Sequence, residues 1–225
     1  MLLLPPPIRD IYFSDVDIAD EEEIKRRFNP LIRQLHSYLN EIPCLHDLQD
    51  VRRKWKARTG EKDAFGNFVA HAGEFYTFNH GGRNEAHFNI SLKPTYFAAG
   101  LCFEFTERQF GEPATVRIAY ACFLQVIQKQ LTEFERFVAE NQLEIEWAKT
   151  EELASISFVP TCDVVKWLLK PPAEPIGIII ARVLRRGDDA ALLEDPSALG
   201  NVIETVFSGF RPYWKQTQVM AKKCS

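Results

Sequence analysis

Five cations fall within seven residues around a single tryptophan: Arg52, Arg53, Lys54, Lys56 and Arg58 beside Trp55. Arg52 and Lys56 are four apart and Arg53 and Lys56 three apart, so on a helix they share one face, opposite Val51 and Trp55. Such a face can hold the phosphates of a nucleic-acid backbone. It can equally be a solvated face whose cations gather toward a helix C-terminus. A second group follows in E-F-Y-T-F-N-H-G-G-R-N-E-A-H-F-N-I-S-L (74–92). Read as a hairpin, its second strand sends Ala86, Phe88, Ile90 and Leu92 one way and Glu85, His87, Asn89 and Ser91 the other. His80 and Arg83 fall at the turn. The polar row is either the wet face of an antiparallel strand or a set of readers for base edges, or for a base flipped out beside Tyr76 or Tyr96.

The motifs that would announce catalysis are missing. The chain has no G-x-x-x-x-G-K-[ST], no G-x-S-x-G and no H-E-x-x-H. The letters E-x-K occur at Glu23–Lys25, but in a helix start. A metal site from His80, Glu85 and His87 would need a ligand across the turn and has no second cluster behind it. Glu151 and Glu152 are adjacent, so their carboxylates diverge. No catalytic residue, metal ligand or cofactor is expected. Arg182, Arg185 and Arg186 close an apolar strand; pairing with Asp188 and Asp189 competes there with a second phosphate clamp.

Composition sets the frame. The 225 residues carry a formal charge of −4, with 46% hydrophobic and 26% charged side chains, as in an ordinary globular protein. The charge is uneven. Residues 51–110 hold 9 basic and 6 acidic side chains, whereas residues 1–50 hold 5 and 10; any nucleic-acid contact must come from a local patch. The five cysteines (44, 102, 122, 162 and 224) show no C-x-x-C spacing, which suits free thiols in a reducing cytoplasm. The opening M-L-L-L-P-P-P is too short and uncharged for a signal peptide. No run approaches the ~18 apolar residues that span a bilayer, so no membrane association is expected.

The elements that must position these groups follow from periodicity. Asp20 with Glu23 reads as a capping box, Asn29-Pro30 as a second helix start, and Leu31, Ile32, Leu35, Leu39 and Ile42 as an apolar stripe. Asp47 caps the basic helix and Gly60 ends it. Strands are expected at 74–79, 85–92, 100–106, 143–147 and 155–159. One long helix is expected from Pro113 to about Ala139. G-I-I-I-A-R-V-L-R-R-G (177–187) is apolar on both faces at first and reads as a central strand. Asp195-Pro196 opens a last helix through Phe207, followed by F-R-P-Y-W. The expected fold is a single α+β domain over 1–225: a mixed, mostly antiparallel sheet packed against a long central helix and N- and C-terminal helices, with 1–46 as a helical segment packed on it.

Two stretches, Y-T-F-N-H-G-G-R-N-E-A-H-F-N-I and I-G-I-I-I-A-R-V-L-R-R with the acidic helix and F-R-P-Y-W after it, resemble recognition modules of prokaryotic modification-dependent (type IV, methylcytosine-specific) restriction proteins. The resemblance spans about a third of the chain. It implies a defence role and a domain that reads double-stranded DNA, with base flipping at a modified base. Neither a motor nor a nuclease motif occurs here, so on this resemblance either the chain is a recognition fragment or a motor or nuclease partner subunit supplies the rest. The clustered charge and the polar strand face, rather than the resemblance, assign the roles: Arg52, Arg53, Lys54, Lys56 and Arg58 are expected to hold phosphates, and Arg83, Glu85, His87 and Asn89 to be the readers. Two alternatives remain: a protein-interaction subunit, supported by the acidic 15–23 run and the aromatic tail, and an enzyme with an unrecognised site.

Overall fold

The computed structural model describes residues 74–78, 86–92, 96–105, 113–148, 156–171, 175–185 and 187–224. The expected N-terminal helical segment and the basic helix at 47–60 lie outside them. The described elements run β1 (Glu74–Phe78), β2 (His87–Leu92), β3 (Tyr96–Glu104), α1 (Pro113–Lys129), α2 (Leu131–Glu140), β4 (Leu143–Ala148), β5 (Ile156–Val159), α3 (Val164–Leu169), β6 (Gly177–Arg185), α4 (Ala190–Glu194) and α5 (Pro196–Cys224). This is an α+β fold. The six strands form one sheet in the order β1-β2-β3-β6-β4-β5, and every described pairing is antiparallel.

The strand expected to be central is central. β6 pairs with β3 over nine positions, from Tyr96↔Arg185 to Glu104↔Gly177, and with β4 on its other side. Its run of isoleucines is buried on both faces. Alternation divides β3 cleanly. Phe97, Ala99, Leu101 and Phe103 join the main core, where they meet Ile178, Ile180 and Leu184 of β6. The helices lie on that first face, and their apolar stripes supply Val116, Phe123, Ile127, Phe134, Ile203, Phe207 and Phe210. Rings make much of the contact: Phe103 packs 5.1 Å from Tyr120 and Phe88 5.1 Å from Phe207, centroid separations typical of favourable aromatic pairs.

Two helix expectations change. The helix from 113 breaks at Gln130, whose amide turns back to the Ile127 carbonyl at 3.1 Å. The Gln130 side chain donates to Gln216 Oε1 on α5 at 2.7 Å. The break redirects α2, so Phe134 and Phe137 reach Tyr213 and Phe210 at 5.1 and 5.0 Å. Conversely, α5 continues through F-R-P-Y-W. Pro212 sits inside it on an exposed side, where the missing amide leaves a carbonyl that water can reach. Trp214 beyond it donates from Nε1 to the buried Ala86 carbonyl at 2.8 Å, fixing the start of β2 to the helix layer.

Gly100 is needed where β3 and β6 draw together. A Cβ there would strike the Ile180 carbonyl oxygen and come within 2.6 Å of Ala181 Cα. Gly100→Ala is therefore expected to cost about 1–3 kcal/mol, read as a lower denaturant midpoint with an unchanged slope. Stability within 0.5 kcal/mol of the parent would mean that the two strands can part without penalty.

Burial pushes the Tyr120 phenol well above its ordinary value, and its hydroxyl donates to the Leu168 carbonyl at 3.3 Å. The raised native value keeps the folded side chain neutral while the unfolded one ionises near pH 10. Its contribution is thus complete below about pH 10 and is lost as pH rises further. Tyr120→Phe should flatten the fall in stability above pH 10, measured by urea unfolding at stepped pH. An unchanged alkaline limb would remove Tyr120 as its source.

Candidate functional site on the second face of the sheet

The face turned away from the helices is built differently. The register places His87, Cys102, Ile179, Glu146 and Phe158 in one row across five strands. Asn89, Gly100, Ala181 and Glu144 form the next row. Ala98 pairs with Val183, and Tyr96 with Arg185. Alternation explains the segregation: within Y-F-A-A-G-L-C-F-E, every second position from Tyr96 carries a small or polar group, and the positions between carry most of the bulk. Ala98, Gly100 and Ala181 make a low floor. Glu144 and Glu146 flank it on β4; His87 and Asn89 flank it on β2. Three strand spacings separate β2 from β4, about 14 Å.

This face is closed. Tyr96, Ala98, Cys102, Ile179, Ala181 and Val183 form a second buried cluster made of strand residues alone among those described. His87 is 3% exposed, Asn89 0% and Glu146 7%. The wet-face alternative for His87 and Asn89 is therefore corrected: both are buried. The physical reason is that their polar side chains share a face with Cys102, Ile179 and Val183, and the burial of that apolar cluster takes them out of water with it. The other expected site residues, Arg52, Arg53, Lys54, Lys56, Arg58, Arg83 and Glu85, lie outside the described residues.

An ion pair borders the face. Arg185 grips Glu144 with two hydrogen bonds, 2.7 and 2.6 Å long. Its guanidinium lies 5.2 Å above the Phe158 ring, and Phe158 in turn meets Tyr96 edge-on at 5.2 Å. The bonds to Glu144 raise the Arg185 pKa further, against some desolvation, so the group is a fixed cation. Asp189 accepts from the Arg185 amide at 2.8 Å and pairs with Arg182 at 3.6 Å. The expected pairing with the neighbouring aspartates thus holds for Arg182, whereas the Arg185 side chain turns to β4.

Glu144, Glu146 and Cys102 were not singled out in the sequence as parts of a site. The alternating small residues of 96–104 and the L-E-I-E-W-A pattern of β4 were the available signals. What was missing was the register that sets Cys102 opposite His87 and Glu144 within reach of Arg185. No group of three metal-ligating side chains occurs among the described residues, and no described helix is long and apolar enough to cross a membrane. Compared with protein-family models, curated proteins and solved structures, the chain finds no match.

Arg185 has 37% of its side chain exposed, so water screens the pair. Arg185→Lys keeps the charge and loses the two-point grip, with an expected cost of no more than about 1 kcal/mol. Glu144→Gln in the Arg185→Lys background should then add less than it does alone, as a double-mutant cycle in urea would show. Full additivity would mean that the two side chains act independently.

Proposed function

We propose that this chain binds double-stranded DNA and reads a modified base by taking it out of the stack against the second face of the sheet, with no chemistry of its own. One observation carries the reading: the hydrogen-bonding groups of β2 are buried beside a floor of small residues. Groove readout needs donors and acceptors at an open surface. Buried readers serve only a base that has been extruded and enclosed. The Gly100–Ala181 floor suits a flat ring. Asn89 can match the paired donor and acceptor of a base edge, and Glu146 can accept from an exocyclic amine such as that of cytosine. Entry requires the face to open, at a cost that binding elsewhere on the duplex must offset. Arg52, Arg53, Lys54, Lys56 and Arg58 are the groups proposed to supply that binding through phosphates. A motor or nuclease subunit completes the defence role implied by the resemblance.

The test is a fluorescence-anisotropy titration with short duplexes, unmodified or carrying 5-methylcytosine, at low and near-physiological salt. Expected is salt-sensitive binding that is at least tenfold tighter on the modified duplex. Arg53→Glu with Lys56→Glu should weaken both duplexes equally and flatten the salt slope. Asn89→Ala, with its fold checked by circular dichroism, should abolish the preference while leaving general binding. A 2-aminopurine beside the modified base should brighten as it unstacks. Tight binding without brightening would end base extrusion, and no binding at low salt would end the DNA reading.

A further inference from the structure

The two helices on the first face carry a second chemistry. α1 and α5 run antiparallel, and the hydrogen bond between Gln130 and Gln216 sets their register. Eight residues back along α1 and eight onward along α5, both helices have advanced about 12 Å, which brings Cys122 level with Cys224. Burial first, and then the neighbouring Cys224 thiol, push the Cys122 thiol above its ordinary value, as that level placement on facing helices requires. Cys122 is buried and Cys224 exposed; neither is in a disulfide.

We propose that Cys122 and Cys224 are a redox pair that closes to a disulfide and staples the last turn of α5 to α1. The oxidant is a small disulfide of the glutathione class. The exposed Cys224, as thiolate, attacks one sulfur of glutathione disulfide, forming a mixed disulfide and releasing one glutathione thiolate. Cys122 loses its proton and attacks Cys224 Sγ. The protein disulfide forms, the mixed disulfide breaks, and the second glutathione leaves as thiolate. Two protein thiols are oxidised and one glutathione disulfide is reduced to two thiols. Because the Cys122 thiol is held protonated, the second step is the slow one at neutral pH. The closed loop spans about a hundred residues, the long-loop case in which a cross-link most restricts the unfolded chain. The helix held in this way is the one whose Trp214 grips the start of β2, so the staple acts on the support of the sheet.

The experiment equilibrates the full chain in glutathione buffers of stepped ratio, maps disulfides by peptide mass and records thermal unfolding. Expected is a Cys122–Cys224 cross-linked peptide together with a rise in melting temperature of roughly 5–15 °C, both reversed by dithiothreitol. Cys224→Ser, at an exposed position, should fold as the parent does and lose both signals. Cys122→Ser should also lose both, and Cys162→Ser should keep both. A lasting glutathione adduct on Cys224, or its bonding to Cys44, Cys102 or Cys162 instead, would overturn the proposal.

Discussion

The nine-position ladder between β3 and β6 is the constraint on which the rest of the molecule depends. β2 hangs from β3 and β4 hangs from β6, so the two central strands fix the register of every outer pair. Their closeness at Gly100 and Ala181 leaves no room for a side chain on one strand. That same ladder sets which residues share a face. Shifting it by one position would turn Phe97, Leu101 and Phe103 away from the helices and bring Ala98, Gly100 and Cys102 toward them. The main core would then lose its largest strand contributions, and the low floor would vanish.

The helix layer adapts to this platform. The break at Gln130 gives up the regular bonding of one helix, but it lets the α2 rings meet α5. Gly209 is part of the same fit, since a Cβ there would run into the Phe137 ring. The aromatic contacts through Phe123, Phe134, Phe137, Phe210 and Tyr213 form a continuous chain from α1 through α2 to α5. The helix layer joined in this way holds β2 from above through Trp214 and Phe88.

Much of this was legible in the residues, and the exceptions have physical causes. The consecutive isoleucines of β6 could be satisfied only by burial on both faces, so a central strand followed from them alone. β3 was read as starting at Gly100, although it starts at Tyr96, because Ala98, Ala99 and Gly100 have weak strand propensity that pairing with β6 overrides. The last helix was read only through Phe207, short of F-R-P-Y-W, because the exposure that makes Pro212 tolerable inside it is a tertiary property. The break at Gln130 carries no glycine or proline to announce it. Register lies furthest from view: alternation shows that His87 and Asn89 share a face but not that the face is buried, nor that Cys102, Glu144 and Arg185 join it. The basic run and the hairpin turn lie outside the described residues, so their part of the reading rests on sequence alone.

The composition of the second face is itself an argument. Each buried methylene contributes about 0.8 kcal/mol to stability, and β6 shows with Ile179 and Val183 that this face accepts branched apolar side chains. Ala98 and Ala181 forgo that gain, and His87, Asn89 and Glu146 add groups that are costly to bury unless hydrogen-bonded. A face selected for stability alone would fill the floor. Steric need explains Gly100, where the strands touch, but not the polar residues on both sides of the floor. Under the base-extrusion reading proposed above, small floor and polar flanks would serve a surface that makes room for something flat and hydrogen-bonding, and burial would make it selective, since only a guest able to replace the bonds it displaces could enter without leaving buried groups unmatched.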